Sequence, residues 1–143
     1  MTGLRRILPV LVAAILLSLA TVPPAQASTT RALADAYPCG PQFWKPGPNV
    51  YVQFCPDWAP DDSIPVHANR DQTSPIVGYI YAPGDDWYQC GYTGTQQTAH
   101  GATNYWWALT TADNGRIGWV NQIYFRGGGD NEPDATLRIC PII

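Results

Sequence analysis

The chain has 143 residues, with 8 Lys+Arg against 11 Asp+Glu and a formal charge of −3. Residues 1–27 read as an export signal that holds Arg5 and Arg6 but no acid, so 116 residues with 6 basic and 11 acidic groups follow it, a charge of −5. That balance argues against a nucleic-acid partner, because neutralising phosphates needs clustered Lys and Arg. The length suits one domain with a modest core rather than a large two-domain enzyme.

The export reading rests on three parts in order. Arg5 and Arg6 form a basic start, an apolar stretch runs over 7–20, and Ala25-Gln26-Ala27 gives an A-x-A cleavage site. The stretch contains Pro9 and is shorter than the roughly 20 residues a membrane span needs. Cleavage before Ser28 by a general secretory route gives an extracellular protein with no membrane segment. Cys39, Cys55, Cys90 and Cys140 agree with that compartment, since an even set of cysteines in an oxidising environment implies two disulfides. Three connectivities are possible. Cys39–Cys55 with Cys90–Cys140 is favoured, because the first pair brackets one short segment and the second ties the C-terminal tail to the middle of the domain. The loops so closed would contribute roughly 3 and 4 kcal/mol. Zinc prefers close pairs such as C-x-x-C, and the gaps here are 16, 35 and 50 residues.

Residues 28–36 are small and polar, a flexible or weakly helical lead-in. From Tyr37 on come all six Trp, eight Tyr and three Phe, broken every few residues by Pro or Gly and with no sustained 3.6-residue period. This is an all-β pattern of short strands and tight turns. In chain order, strands are expected over 50–55, weakly over 65–69, strongly over 76–82, and over 87–92. Pro83-Gly84-Asp85-Asp86 forms a turn between the last two. The stretch 93–104, rich in Thr, Gln and Gly, is expected to be a polar loop. Strands over 105–110 and 116–120 form a hairpin around Ala112-Asp113-Asn114-Gly115, whose Asn-Gly step suits a tight turn. A last short strand or 3₁₀ turn over 123–125 precedes Gly127-Gly128-Gly129 and an acidic tail.

Several pieces follow one another in a recognisable order. Val66-His67-Ala68-Asn69 leads to Thr73-Ser74-Pro75-Ile76-Val77-Gly78. Gly84 and Trp87-Tyr88 come next, then Gly115-Arg116-Ile117-Gly118-Trp119-Val120. The series resembles a bacterial SH3 domain over about 64–125. The Trp106-Trp107 pair, the 112–115 turn and the tail 129–134 are similar to small secreted SH3-like proteins of actinobacteria. His67-Ala68-Asn69-Arg70 departs from the family's Asn-Val-Arg opening, and residues 37–60 and the disulfides lie outside its pattern. The resemblance implies a small SH3-like β-barrel over 64–126, with 28–63 packing on it as an extension and 127–143 as a tail tied back by a disulfide. It also implies binding to cell-wall peptidoglycan or its peptide. Family members are usually joined to a catalytic domain such as a cell-wall hydrolase, for which this chain has no room.

The residues for catalysis are sparse. After the signal only Ser28, Ser63 and Ser74 could act as serine nucleophiles, none in a Gly-x-Ser-x-Gly setting, and His67 and His100 lack ligand-like neighbours. His67 is expected on a strand and His100 in a loop. Asp57, Asp61, Asp62, Asp85, Asp86 and Asp113 could supply a carboxylate pair, but all fall in turn-like segments. Asp130-Asn131-Glu132-Pro133-Asp134 offers oxygen ligands without the spacing of a calcium loop, and reads as a solvated acidic turn. No cofactor or metal is expected.

Trp87 and Trp119 are expected in the core, with Trp44 and Trp58 capping the barrel. Strand alternation puts Trp106 and Trp107 on opposite faces, so one should point outward unless residues 37–60 cover it. Tyr105, Trp106, Trp107, Trp44 and Asn104 are the candidate ligand-binding residues, since exposed aromatics on small barrels hold peptides or sugars. The chain is therefore expected to be a monomeric, non-catalytic module that binds cell-wall glycan or peptide. The alternative is an interaction protein or inhibitor that binds another secreted protein. A small cell-wall hydrolase ranks below both.

Overall fold

A computed structural model describes residues 37–141, so the export signal and the 28–36 lead-in lie outside the described residues. Eight strands follow in order: β1 Phe43–Lys45, β2 Val50–Pro56, β3 Ser63–His67, β4 Ile76–Tyr81, β5 Asp85–Tyr88, β6 Cys90–Ala99, β7 Ala102–Thr111 and β8 Ile117–Asn121. A 3₁₀ turn, Gln122–Tyr124, closes the series. The architecture is all-β. Its strands form a three-stranded sheet ordered β1-β2-β5 and a five-stranded sheet ordered β4-β3-β8-β7-β6.

The chain passes from one sheet to the other at Gln89, between β5 and β6, where the run 87–92 was expected to be one strand. Gln89 N–H donates to Leu109 O at 2.7 Å, and the Thr110 hydroxyl donates to Trp87 O at 2.7 Å, so β7 holds both halves of the switch. Asp85 and Asp86 belong to β5, paired with Pro56 and Cys55, rather than to the preceding turn. The core joins both sheets: Cys55 and Tyr88 from the smaller one pack with Ile64, Val66, Ile80, Ala108 and Val120 from the larger. Phe125 seals them, its ring 4.6 Å from that of Tyr88.

The largest departure from expectation is 93–104. It is no loop but the end of a hairpin, with Gln97, Thr98 and Ala99 paired to Asn104, Thr103 and Ala102. His100 and Gly101 make the connection with φ of 54° and 79°. Two residues at positive φ are what a two-residue hairpin turn requires. Thr-rich sequence tolerates such a strand because its branched side chains suit a pleated surface. The 112–115 turn follows its expectation, with Gly115 N–H donating to Ala112 O at 2.8 Å and Gly115 at φ 84°.

That turn also folds back on the edge of β4. Asp113 N–H reaches Tyr79 O at 2.9 Å, and the Asn114 amide reaches Val77 O at 2.9 Å. Gly78 permits the approach, since a Cβ there would sit 2.6 Å from the Ala112 Cβ.

Both disulfides have the favoured pairing, Cys39–Cys55 and Cys90–Cys140. Around the second, Gly91 N–H donates to Arg138 O at 2.8 Å and Cys140 N–H to Gly91 O at 2.9 Å. The tail is less solvated than its composition implies. Asp134 is 2% exposed, and its carboxylate accepts the N–H groups of Cys39, Thr136 and Leu137 and the Thr136 hydroxyl at 2.9–3.2 Å. One buried side chain thus binds the tail to the first disulfide.

Candidate functional site

The β6–β7 hairpin tip carries its turn residue into an aromatic row. The His100 ring lies 5.6 Å from Trp58 and 5.9 Å from Tyr124, edge-on or tilted to each. A non-glycine residue at positive φ is disfavoured, and these two contacts help hold this one. The tip, Trp58 and the glycine segment border an open cavity of about 300 Å³, with Trp58, Thr103, Asn104, Phe125, Gly128 and Asp130 among its lining.

Asn104 shapes this cleft rather than reaching into it. It is 3% exposed, and its amide donates to Gly129 O at 3.3 Å and Glu132 O at 3.0 Å while its oxygen accepts Trp106 N–H at 2.9 Å. The glycine segment is thereby fixed against β7. Asp130 is fixed too, accepting Thr103 N–H at 3.0 Å through one carboxylate oxygen. Among the described residues the N–H groups of Gly128 and Gly129 take no protein acceptor. The cleft lining therefore brings together the Trp58 side chain, the glycine segment and Asp130. Such a surface can stack a ring or an apolar side chain while hydrogen-bonding hydroxyls and amides.

The other candidate residues are dispersed. Trp107 is fully buried, its indole N–H donating to Thr95 O at 2.8 Å and its ring edge-on to His67 at 5.7 Å. Trp106, half-buried, stacks with Tyr105 at 6.0 Å. Of the pair, Trp107 is enclosed while Trp106 stays partly accessible, beside Tyr105, which is exposed. Trp44 is 47% exposed and sits with Tyr51 on the smaller sheet. Trp87 and Trp119 are half-buried rather than core, each lying under a cation: Lys45 over Trp87 at 4.9 Å, Arg70 over Trp119 at 5.1 Å. Trp58 and the glycine segment were not candidates. The signal for them was available only as Gly127-Gly128-Gly129 close to aromatics in the sequence.

A carboxyl pair does form, away from this cleft. Asp57, fully buried, accepts Gly84 N–H at 3.0 Å and the Tyr88 hydroxyl at 3.1 Å. Burial first, then hydrogen bonding to Asp86 and its charge, push the Asp57 carboxyl up to about 7. Burial also raises Asp86, with Asp113 and Asp85 adding to the effect, and drives the Tyr88 phenol well above its ordinary value. Two neighbouring carboxyls disfavour ionising together, and both are raised. Among the described residues no group of three or more His, Cys, Asp or Glu side chains is placed to hold a metal ion. No helix there is long and apolar enough to cross a membrane, and two disulfides are compatible with an extracellular protein. No family model, curated protein or solved structure matches this chain.

Proposed function

We propose that the chain is a secreted, non-catalytic binding module with an SH3-like barrel, whose ligand is cell-wall peptidoglycan or its peptide. The observation that carries the reading is the Trp58 cleft, whose lining combines an aromatic side chain, a glycine segment and Asp130. Sugar rings and peptide units both pair an apolar face with hydrogen-bonding edges, and this cleft complements such a combination. The SH3-like reading rests on the resembling pieces, which fall on β3, β4, β5 and β8 in that order. A non-catalytic role is favoured because Asp57, one member of the carboxyl pair, is fully buried.

The test is sedimentation of the disulfide-bonded protein with purified cell-wall sacculi. Co-sedimentation that Trp58→Ala weakens about tenfold or more, with the melting transition retained, is the expected result. Protein left in the supernatant at every sacculus concentration refutes the reading.

A second reading, an interaction protein or inhibitor for a secreted protein, draws on one feature. The edge strand β4 exposes Tyr79 at 51% and Tyr81 at 71%, with Ile117 at 61% on β8. Exposed aromatics suit a protein interface. A stable complex from culture medium that Tyr81→Ser abolishes would favour it over wall binding.

A further inference from the structure

The connection between β3 and β4 carries Arg70 onto the five-stranded sheet, at a place separate from the Trp58 cleft. Its guanidinium carbon lies 4.5 Å from the centre of the Tyr92 ring and 5.1 Å from that of Trp119. One amino group donates to Thr93 O at 2.8 Å. The backbone is anchored as well, Arg70 O accepting Thr95 N–H at 2.9 Å. Gly94 makes this seating possible, because a Cβ there would collide with Arg70 O and Cβ. The result is a guanidinium held by two rings and a backbone carbonyl.

Thr93 O is the only protein acceptor the guanidinium takes among the described residues. The acid next to it in sequence, Asp71, is turned into its own loop, where one carboxylate oxygen accepts Thr73 N–H at 2.8 Å and the Thr73 hydroxyl at 2.9 Å. In a chain where 11 acidic groups outnumber 8 basic ones, an arginine held in this way has no carboxylate partner among the described residues. Arg70 also lines an open cavity of about 430 Å³, together with Asn69, Thr93, Gly94, Thr95 and Trp119.

We propose that this cavity is a carboxylate-binding site, and that its ligand is the free C-terminal carboxylate of a short peptide. The guanidinium fork matches a planar carboxylate, and it loses little freedom on binding because the rings and Thr93 already hold it. Asn69 adds a side-chain amide at the rim, and Trp119 offers an apolar wall for the terminal side chain. A single cation suits a monoanion. A phosphate dianion would leave one charge unmatched in an acidic protein. The site is independent of the Trp58 cleft, so failure to bind sacculi leaves it standing.

The experiment titrates acetyl-alanyl-alanine, its C-terminal amide and inorganic phosphate into the disulfide-bonded protein, following the Arg70 side-chain N–H resonance and tryptophan fluorescence. Saturable binding of the free acid, about tenfold or more tighter than the amide, is expected. It should weaken with added salt. Arg70→Lys keeps the charge without the fork, and should lower affinity about tenfold at an unchanged melting temperature. The comparison of acid with amide needs no variant, so it decides the matter even if Arg70 substitutions unfold the loop. Equal binding of acid and amide overturns the proposal, as does preference for phosphate. So does an unmoved Arg70 resonance at about 20 mM peptide, a concentration that would reveal even millimolar affinity.

Discussion

Asp57→Asn tests whether the buried carboxyl pair sets the pH dependence of stability. The Asp57 carboxyl has an ordinary value of 3.8 and is raised in the fold to about 7. Below pH 3.8 it is protonated in folded and unfolded chains alike and contributes no difference. Between 3.8 and about 7 the unfolded chain ionises while the folded one holds its proton, so stability falls as pH rises and the loss is complete above about 7. The full displacement corresponds to about 4 kcal/mol. Water reaching the pair through the partly exposed Asp86 screens it, and halving gives about 2 kcal/mol. Asparagine keeps an oxygen for Gly84 N–H and does not titrate, while its amide takes the place of the oxygen that accepts the Tyr88 hydroxyl. Urea unfolding of both proteins at about pH 4 and about pH 8 removes from the difference the contributions of groups that do not interact with Asp57. The variant should gain about 2 kcal/mol relative to wild type across that interval, a shift of about 10 °C in relative melting temperature. A difference that stays constant between the two pH values would refute the reasoning.

Asp134→Ala should cost about 3 kcal/mol or more, because the N–H groups of Cys39, Thr136 and Leu137 lose a buried acceptor together. Chemical denaturation checks it, and a loss below about 1 kcal/mol would mean water replaces the carboxylate. His100→Asn should leave stability within about 1 kcal/mol, since Asn suits positive φ better but gives up the contacts with Trp58 and Tyr124. Its emission spectrum should shift as Trp58 gains solvent, and a destabilisation beyond about 2 kcal/mol would show that the ring contacts dominate the turn.

What the sequence made legible was carried by local signals. The apolar run that became β4 and the Asn-Gly turn before β8 each announce themselves within a few residues, and the spacing of Cys39 and Cys55 suggested the disulfide pairing. The hairpin end at 97–104 did not, because it lacks apolar alternation and its turn uses His-Gly in place of Asn-Gly. Its order comes from register with β7 and from the tail, with Asn131 N–H donating to Thr103 O at 2.9 Å. Burial was harder still to read. Trp107 is enclosed because Arg70, far off in sequence, brings its backbone to Thr95. Asp134 resembled a solvated tail residue because its partner Cys39 lies 95 residues away. Asp57 and Asp86 each fit a turn taken singly, and only β2–β5 pairing brings them together. Aromatic count alone likewise could not say which rings face a ligand. Trp58 meets a glycine segment and a hairpin tip that lie far from it in sequence, so the candidate cleft is a property of the tertiary fold rather than of any one motif.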